Sequence, residues 1–468
     1  MLSRRQLLQR TACGFGHLAL ASTLARQGAA AATLERRVGH HPAHAKHVIF
    51  LFMQGGPSQV DTYDYKPELF ANHGKKIEFF NPRHRKVRQE TMFKPLWDFK
   101  QYGQTGHWGS SLFPEVNKHI DDLCFIHSMH TEGVAHGPAT LFLHTGATNL
   151  VRPSVGAWIS YGLGSESDNL PAFVTINPPA NKGGPRNYNH SFLPAIHQGN
   201  VLGQPGNVRA QPEIRHLRSP LQPDQAAREF DFASKLNRAQ IEAAGAHQNA
   251  TLDGAVKSME LAWRMQSRGS NIIDLDRESQ ATRELYGLGH KNTESFGRQC
   301  LAARQLVEAG VRYIQVSHCD NGSNPVWDQH SNLSRHEPLA REVDVPIAGL
   351  LTDLKQRGLL EDTLVWWGSE FGRTPYSENN NNGRDHNPRG FTTWLAGGGT
   401  KAGYSHGSSD EFGFAAVENK VHMHDLHATI LHLLGLDHEK LTYRHAGRDF
   451  RLTDVHGRVV KEIVASRS

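Results

Sequence analysis

The chain has 468 residues, of which 38% are hydrophobic and 21% charged, a composition typical of a globular protein that excludes a disordered, fibrous or coiled-coil one. No uncharged apolar run reaches the ~18 residues that a membrane-spanning helix needs. The formal charge of +5 is concentrated at the start of the chain: residues 1–32 hold four arginines and no acid, so the remainder carries +1 and gives no support for nucleic-acid binding. The 30 histidines outnumber the 21 phenylalanines, which points to metal ligation or proton transfer near neutral pH.

Residues 1–32 are typical of a twin-arginine export signal. Arg4 and Arg5 precede a weakly apolar stretch at 11–25 and an alanine cluster at 29–32 that suits cleavage. An ordinary N-terminal helix is the alternative. We expect a periplasmic or extracellular protein with no transmembrane segment after signal removal. The three cysteines that would remain do not make a disulfide framework. They are Cys124, Cys300 and Cys319.

Short apolar runs alternate with helical patterns along the rest of the chain. We predict strands at 47–53, 123–127, 172–176, 311–316, 363–367 and 391–395. We predict helices at 138–143, 295–309, 346–357 and 425–434, and two or three helices within 223–266. This alternation predicts an α/β fold with a mostly parallel sheet flanked by helices on both faces.

Two segments lack a clear period. Residues 66–109 are polar, basic and aromatic by turns, which predicts a long surface excursion, and residues 178–206 are rich in Pro, Gly and Asn, which predicts a loop. No linker divides the chain. We therefore expect residues 33–468 to form a single domain with a helical insertion at about 223–290.

Ionisable residues cluster beside the predicted strand ends. Asp328 and His330 lie two residues apart in a loop after the 311–316 strand, and such a pair can close on one divalent ion. Glu370 and Arg373 follow the 363–367 strand, where the guanidinium is suited to hold an oxyanion, and His386 precedes the 391–395 strand. Any one of them can equally be solvated or cap a turn. Because the carboxyl ends of strands line sites in open α/β sheets, the three fragments together predict a metal site.

Other motifs are weaker. The loop at 54–58 lacks the residues of a phosphate-binding loop, and Ser58 lacks the setting of a nucleophile elbow, so a nucleotide-binding protein and a Ser-His-Asp hydrolase are disfavoured. A basic run from Lys75 to Lys94 is suited to a polyanion such as a sulfated glycan, with a solvated loop as the alternative. Its cations are Lys75, Lys76, Arg83, Arg85, Lys86, Arg88 and Lys94.

The order of these features resembles the alkaline phosphatase and sulfatase superfamily. A first strand with a site-lining end is followed by a helix that ends at Leu143-His-Thr-Gly146, then by the Asp-x-His loop, the strand before Glu370 and the later His386. In sulfatases the helix entry reads Cys or Ser, x, Pro, x, Arg. Aligning on the Thr-Gly places His136 at the nucleophile position, with Pro138 matching the Pro and Thr140 where Arg is expected.

Four longer strings resemble a secreted bacterial family catalogued as domain of unknown function fifteen hundred and one, which is sulfatase-like. This resemblance extends over almost the entire chain. The strings are Phe52-Met-Gln-Gly-Gly-Pro-Ser-Gln-Val-Asp61, Ser295-Phe-Gly-Arg-Gln-Cys-Leu-Ala-Ala-Arg-Gln-Leu-Val-Glu-Ala-Gly-Val311, Gly372-Arg-Thr-Pro375 and Leu441-Thr-Tyr-Arg-His-Ala-Gly-Arg-Asp449.

The superfamily resemblance implies one retained and one altered metal site. The residues of its first site fall on Asp328, His330 and His386. The residues of its second site fall on Gln54, His136, Glu370 and Phe371. Glutamine is a neutral ligand, phenylalanine cannot ligate, and His136 is not an oxygen nucleophile. The two-metal device that holds attacking and leaving oxygens is therefore half altered.

Three functions follow from this comparison. The first is an exported metal-dependent hydrolase of phosphate or sulfate esters, in which Asp328, His330, His386 and Glu370 bind zinc, calcium or magnesium. His136 would then be general base or transient nucleophile, with Arg373 holding the oxyanion. The second is a catalytically silent metal-binding envelope protein that recognises anionic glycans through its basic run. The third, a sulfatase that uses formylglycine, is disfavoured because His136, and not Cys or Ser, precedes Pro138 by two residues.

Overall fold

The computed structural model describes residues 36–466 apart from 82–84, 150, 214–221, 244–249, 269–272 and 379–381, so the predicted signal at 1–32 lies outside the described residues. A nine-stranded sheet runs through the described part of the molecule. Its strands are β1 His47–Met53, β2 Leu123–His130, β3 Phe173–Ile176, β4 Asn200–Leu202, β5 Tyr313–His318, β6 Thr363–Gly368, β7 Phe391–Ala396, β8 Tyr404–His406 and β9 Val421–His422.

The strands of this sheet are parallel with one exception. Their order is β8-β2-β7-β6-β1-β5-β3-β4, and β9 also pairs with β2. The central strand β1 pairs in parallel with β6 and β5. Only β7 runs antiparallel to its neighbours β6 and β2. As a result the carboxyl ends of β1, β2, β5 and β6 and the amino end of β7 meet at one edge of the sheet.

Helices cover both faces of the sheet. Along β1 the residues Ile49 and Leu51 face one apolar cluster, and Phe50 and Phe52 face the other, so this run is apolar throughout because both sides are buried. The predicted fold class is thereby confirmed. The helices are α1 Gln59–Thr62, α2 Pro67–Ala71, α3 His136–Thr145, α4 Val155–Leu163, α5 Pro223–Ala243, α6 Ala250–Arg268, α7 Gln280–Leu285, α8 Glu294–Glu308, α9 His336–Gln356 and α10 Met423–Leu433. Among the described residues, no helix combines the length and apolarity needed to cross a membrane.

The structure differs from the predicted elements in several places. The helix α4 was not predicted, and the segment 178–206, predicted as a loop, contains the strand β4. The excursion at 66–109 contains two hairpins, Lys76–Asn81 with Lys86–Thr91 and Phe99–Tyr102 with His107–Ser110. Half of the residues in these hairpin strands are exposed, so they lack the continuous apolar runs of the central strands. The prediction that a helix starts at Pro346 is wrong: α9 begins at His336 and includes Pro346 in its interior, where burial of its apolar face keeps the helix continuous.

Short antiparallel pairs complete the described structure. They are Gly372–Arg373 with His386–Asn387, Ser408–Ser409 with Ala416–Glu418, and Tyr443–His445 with Arg448–Phe450. The first of these pairs joins the loop after β6 to the loop before β7. It therefore fixes the two loops relative to each other at the edge where the strand ends meet.

Candidate metal centre

Connections at three strands deliver four ionisable side chains to one edge of the sheet. Asp328 and His330 lie in the loop after β5, and His386 lies just before β7. His136 is the first residue of α3, in the connection that follows β2. The strand β7 runs antiparallel to its neighbours. His386, which precedes β7, therefore lies at the same edge of the sheet as the three residues that follow β2 and β5.

These four side chains form a compact cluster, with ligand atoms within 4.8 Å of one another. The Oδ1 atom of Asp328 lies at its centre. The Nε2 atoms around this oxygen are those of His330 at 2.9 Å, His136 at 3.1 Å and His386 at 3.2 Å. The Nε2 atoms of His330 and His386 are 3.0 Å apart. Three imidazoles therefore converge on one carboxylate oxygen.

A hydrogen bond at Nδ1, the ring nitrogen that faces away from Asp328, fixes the orientation of each imidazole. The Nδ1 atom of all three rings faces an oxygen acceptor of the protein. The pairs are His136 with Glu370 Oε1 at 2.7 Å, His386 with the Val134 carbonyl at 2.8 Å, and His330 with a carboxylate oxygen of Glu378. A carbonyl or carboxylate oxygen only accepts, so Nδ1 donates, and the neutral ring presents a lone pair at Nε2. Metal-binding histidines are held in this way.

The donor set fits a divalent cation. In a tetrahedral site with Zn–N bonds of ~2.0–2.1 Å, neighbouring donor atoms lie about 3.3 Å apart. The separations around Asp328 Oδ1, from 2.9 to 3.2 Å, are close to that spacing. Imidazole nitrogens and a carboxylate oxygen are also the ligand types that such ions prefer. Asp328, His330, His386 and His136 are therefore the residues that could hold a metal.

Charge in the cluster is strongly coupled. Burial acts to raise the pKa of Asp328, but the three imidazoles around its carboxylate and the nearby Arg373 hold this pKa well below its usual range. Burial acts to lower the pKa of His330, yet its bonds to Asp328 and Glu378 raise it to about 9. The pKa of His136 is also raised, against its burial, by Asp328 and Glu370. A cation that binds here must displace these protons, so ion and protons compete.

The other two predicted ligands, Glu370 and Gln54, are both buried at the same edge of the sheet. Glu370 is completely buried, and its carboxylate accepts from the Gly55 N–H at 3.1 Å, from the Ser369 hydroxyl at 2.6 Å and from His136. It is thus the partner that orients His136. Gln54 is also completely buried, and neither atom of its amide has a hydrogen-bond partner among the described residues. Of the five predicted ligands, the structure brings Asp328, His330 and His386 together.

Arg373 occupies a different position from the one its predicted role requires. It has no exposed surface, and its guanidinium donates to the Gly56 carbonyl at 3.0 Å, the Arg384 carbonyl at 3.1 Å and Asp328 Oδ1 at 2.7 Å. These donors point into the protein, so the geometry makes Arg373 a support for Asp328 and the surrounding loops. The ring of Phe371 covers one side of the cluster, with its centroid 4.4 Å from that of His386.

Sequence reasoning did not identify the groups that orient the histidines. Glu378 lies 48 positions from His330, and the Val134 carbonyl that binds His386 belongs to the backbone, so neither leaves a spacing signal. Asp385, adjacent to His386, forms a second group of ionisable residues with His330 and Glu378. Its position beside a predicted ligand was the one available clue.

Solved structures with related architecture share little sequence with this chain. The lipoteichoic acid synthase LtaP from Listeria monocytogenes is 8% identical with a TM-score of 0.36, and the match covers 90% of this chain and 78% of that one. The PsFucS1 sulfatase from Pseudoalteromonas sp. is 13% identical with a TM-score of 0.33, covering 84% and 68%. A TAB5 alkaline phosphatase mutant with bound Mg is 12% identical with a TM-score of 0.33, covering 78% and 94%.

Family membership rests on sequence. No curated protein matches the chain. The long strings around Gly55, Arg298, Arg373 and Arg444 lie within the region that a family model covers. That model, described as "Protein of unknown function (DUF1501)", matches residues 45–464, and the chain therefore belongs to this family.

Proposed function

We propose that this protein is a metal-dependent hydrolase of phosphate or sulfate esters, with one divalent ion held by Asp328, His330 and His386. One observation carries the proposal: three imidazoles, each with Nδ1 bonded to an oxygen acceptor, direct Nε2 at a single carboxylate oxygen. His136 is buried and His330 and His386 are half-buried, so arranging the three rings in this way has a cost in desolvation that an apolar core would avoid. A bound cation supplies the compensating interaction.

The ligand types favour zinc. Calcium and magnesium prefer shells made of oxygen atoms, whereas imidazole nitrogens with one carboxylate suit Zn²⁺. An ion of this kind supplies Lewis-acid stabilisation of negative charge and acidifies water at neutral pH. Phe371 offers no ligand atom and Glu370 is already bonded, so the second site of a two-metal enzyme has no complete ligand set here. We infer one ion for each chain.

His136 is the proposed general base. Its Nε2 is buried 3.1 Å from Asp328 Oδ1 without the alignment of a hydrogen bond, and its Nδ1 donates to Glu370. A carboxylate behind an imidazole fixes the tautomer and stabilises the imidazolium. In the proposed reaction His136 takes a proton from water as the water oxygen bonds to phosphorus or sulfur. The ester bond breaks with its electron pair on the leaving oxygen, which then receives a proton.

Elemental analysis tests the ion. The mature protein should contain one divalent ion for each chain, and the variant Asp328→Ala with His330→Ala should contain none. The control His456→Ala removes an exposed histidine outside the cluster and should retain the ion. A parent protein purified from an export-competent host without bound ion, and unable to bind added zinc, would contradict the proposal.

Turnover tests the base. With p-nitrophenyl phosphate and p-nitrophenyl sulfate as probes, His136→Ala should lose hydrolysis while it keeps the ion and the folded state. If His136→Ala loses the ion as completely as the Asp328 and His330 variant does, His136 is a ligand and the proposed role as base is wrong.

The second candidate function is recognition of an anionic glycan. The described cations of the basic run are exposed, while Arg83 lies outside the described residues. Their hairpin is joined to the metal centre because the Ser377 N–H donates to the Thr91 carbonyl at 2.9 Å, one residue before Glu378. The test is binding of a sulfated polysaccharide to Arg85→Glu with Lys86→Glu. Its control, Lys440→Glu with Lys461→Glu, changes charge equally elsewhere. If the Arg85→Glu and Lys86→Glu variant still binds the polysaccharide, this candidate function is wrong.

A further inference from the structure

A cavity of about 250 Å³ lies beyond the carboxyl end of β5, outside the metal cluster. Three segments line it: residues 208–211, the start of α8 with the loop before it at 291–296, and the pair His318 and Glu342. Pockets for drug-sized ligands have volumes of ~300–1,000 Å³, so this one suits a smaller molecule, about one sugar ring in size.

The cavity is lined mainly by groups that form hydrogen bonds. Arg209, Gln211, Lys291, Asn292 and Ser295 contribute a guanidinium, two amides, an ammonium and a hydroxyl. Such planar and multivalent groups match the hydroxyls of a sugar. The one aromatic side chain of the lining, Phe296, is only 1% exposed, so a nucleobase has no ring on which to stack.

The cavity lining holds two cations, Arg209 and Lys291, and two carboxylates, of which Glu294 is paired with Arg298, so the net charge around the cavity is positive. Glu294 already accepts from the Arg298 guanidinium at 2.5 Å, and Glu342 accepts from His318 Nε2 at 2.9 Å. Arg209 and Lys291 are exposed and have no ion-pair partner in the part of the chain that the structure describes. The first turn of α8 adds the partial positive charge of a helix N-terminus. An anionic group is the complement of this arrangement.

A continuous set of hydrogen bonds joins the cavity to the metal centre. His318, which is completely buried, accepts at Nδ1 from the Trp327 indole at 3.0 Å and donates from Nε2 to Glu342. Trp327 directly precedes Asp328, and its backbone N–H donates to the Gln54 carbonyl at 3.2 Å. The wall of the cavity and the loop that carries Asp328 are therefore one packed unit.

We propose that this cavity binds one anionic sugar unit, a ring that carries a carboxylate, sulfate or phosphate, of the substrate whose ester is cleaved at the metal centre. This assignment rests on the proposed hydrolase function, because the sugar unit bound in the cavity is a part of the substrate that lies away from the cleaved ester. Arg209 and Lys291 bind the anionic group, and Gln211 and Asn292 bind ring hydroxyls.

Titration calorimetry of the metal-loaded full chain with glucuronate, glucose 6-sulfate and glucose tests the proposal. The two anionic sugars should bind and glucose should bind more weakly. Arg209→Ala with Lys291→Ala should lower the affinity for the anionic sugars at least about tenfold, since each cation supplies a charged hydrogen bond. The control Lys440→Ala with Arg444→Ala removes two exposed cations elsewhere and should bind as the parent does.

Two outcomes would overturn the assignment: no saturable binding of either anionic sugar, or equal binding by the parent and the Arg209 and Lys291 variant. The variant Asp328→Ala with His330→Ala separates this proposal from the hydrolase proposal. It lacks the ion ligands but keeps the cavity, so sugar binding should persist in it. If esters are not hydrolysed yet anionic sugars bind through Arg209 and Lys291, the hydrolase proposal fails, the cavity is an anionic-sugar site, and its assignment to the substrate of the metal centre is overturned.

Discussion

Two groups of histidines in this protein differ in their charge partners. At the metal centre His136, His330 and His386 surround Asp328, and each Nδ1 has its own oxygen acceptor. Around the start of α10 the rings of His144, His424 and His427 pack against apolar and aromatic neighbours such as Phe52 and Phe142, and none of these rings has a carboxylate as a hydrogen-bond partner among the described residues. We call these the site group and the core group. Both groups contribute to the high histidine content of the chain, but only one has the chemistry of a metal centre.

Charge partners account for the difference. In the core group burial lowers the pKa of His144 and His427 to about 4 and of His424 to about 3, so these rings are neutral. In the site group carboxylates outweigh burial at two histidines: they raise the pKa of His136 and raise that of His330 to about 9, whereas burial lowers the pKa of His386. The presence of a shared carboxylate, and not the number of imidazoles, therefore distinguishes a ligand set from a packed core.

The largest expected effect is acid destabilisation through the core group. As pH falls below about 6.5 the unfolded chain protonates these histidines while the folded chain keeps them neutral down to about 4. The unfolded state then binds more protons, so stability falls with pH at about 1.4 kcal/mol per pH unit for each histidine. His197, with a pKa lowered by burial to about 3, adds in the same direction, and Asp344, with a pKa raised by burial to about 6, offsets one histidine.

The expected net slope is about 4 kcal/mol per pH unit between pH 6 and 4.5. Urea unfolding at half-unit intervals of pH measures it. The site group should act with the opposite sign in metal-free protein: the contribution of His330 is present below pH 6.5 and is lost as pH rises toward 9. An unfolding free energy that stays constant from pH 6.5 to 4.5 would break the comparison between the groups.

Removal of the shared carboxylate should lower stability less than acid does, but it should also affect metal binding. Asp328→Asn leaves the buried Arg373 guanidinium without its countercharge, for an expected loss of ~3–5 kcal/mol in the free energy of unfolding. It should also abolish metal binding. The matched control is Asp61→Asn, at a second fully buried pair in which Arg384 Nε lies 2.7 Å from Asp61 Oδ2. The control should lose comparable stability in metal-free protein and keep the metal, as judged by denaturation and elemental analysis.

Loss of a carboxylate behind one ligand should have a smaller effect. Glu378→Gln weakens the group that orients His330, and such changes typically reduce metal affinity 10–100-fold. Competition with a chromogenic zinc chelator measures this shift. Glu342→Gln alters an equivalent carboxylate–histidine bond, to His318, away from the site. Equal metal affinities of the two variants would show that the orientation of His330 is not what Glu378 provides.

The smallest effect is expected in the core group at neutral pH. The His424 Nδ1 atom is buried without a hydrogen-bond partner among the described residues. Exchange of such a group for an apolar one of similar size is close to neutral, so His424→Leu should change stability by less than ~1.5 kcal/mol at pH 7.5. The same variant should lose stability less steeply in acid. Bound metal in the parent that disappears in His424→Leu would assign the core group a role as ligand.

Much of the sheet could be predicted because its strands are buried on both faces. Continuous apolar runs identify β1 and β6 without reference to their neighbours. The orientation of β7 could not be predicted, because a short apolar run reads the same in either direction. For the same reason the sequence places His386 beside a strand but does not establish that it meets Asp328.

The candidate ligands of the site could be predicted from the sequence, but the roles of the residues that hold these ligands in place could not. The i, i+2 spacing of Asp328 and His330 and the position of His386 before a strand are visible in the sequence, and the resemblance supplied His136. By contrast, Glu370 has a predicted position at a strand end, but its burial against Gly55 makes it a partner of His136. A guanidinium such as that of Arg373 is equally able to bind substrate or backbone carbonyls. Its partners depend on the folded surroundings, which the sequence does not show.

The bond between His386 and the Val134 carbonyl joins residues 252 positions apart along the chain. The candidate ligand set therefore joins parts of the chain that are distant in sequence. An ion held there would act as a cross-link: at a free concentration 100 times its dissociation constant it would stabilise the native state by about 2.7 kcal/mol. Chelation should consequently loosen the connections of β2, β5 and β7 together, and hydrogen exchange in these three strands should increase in concert.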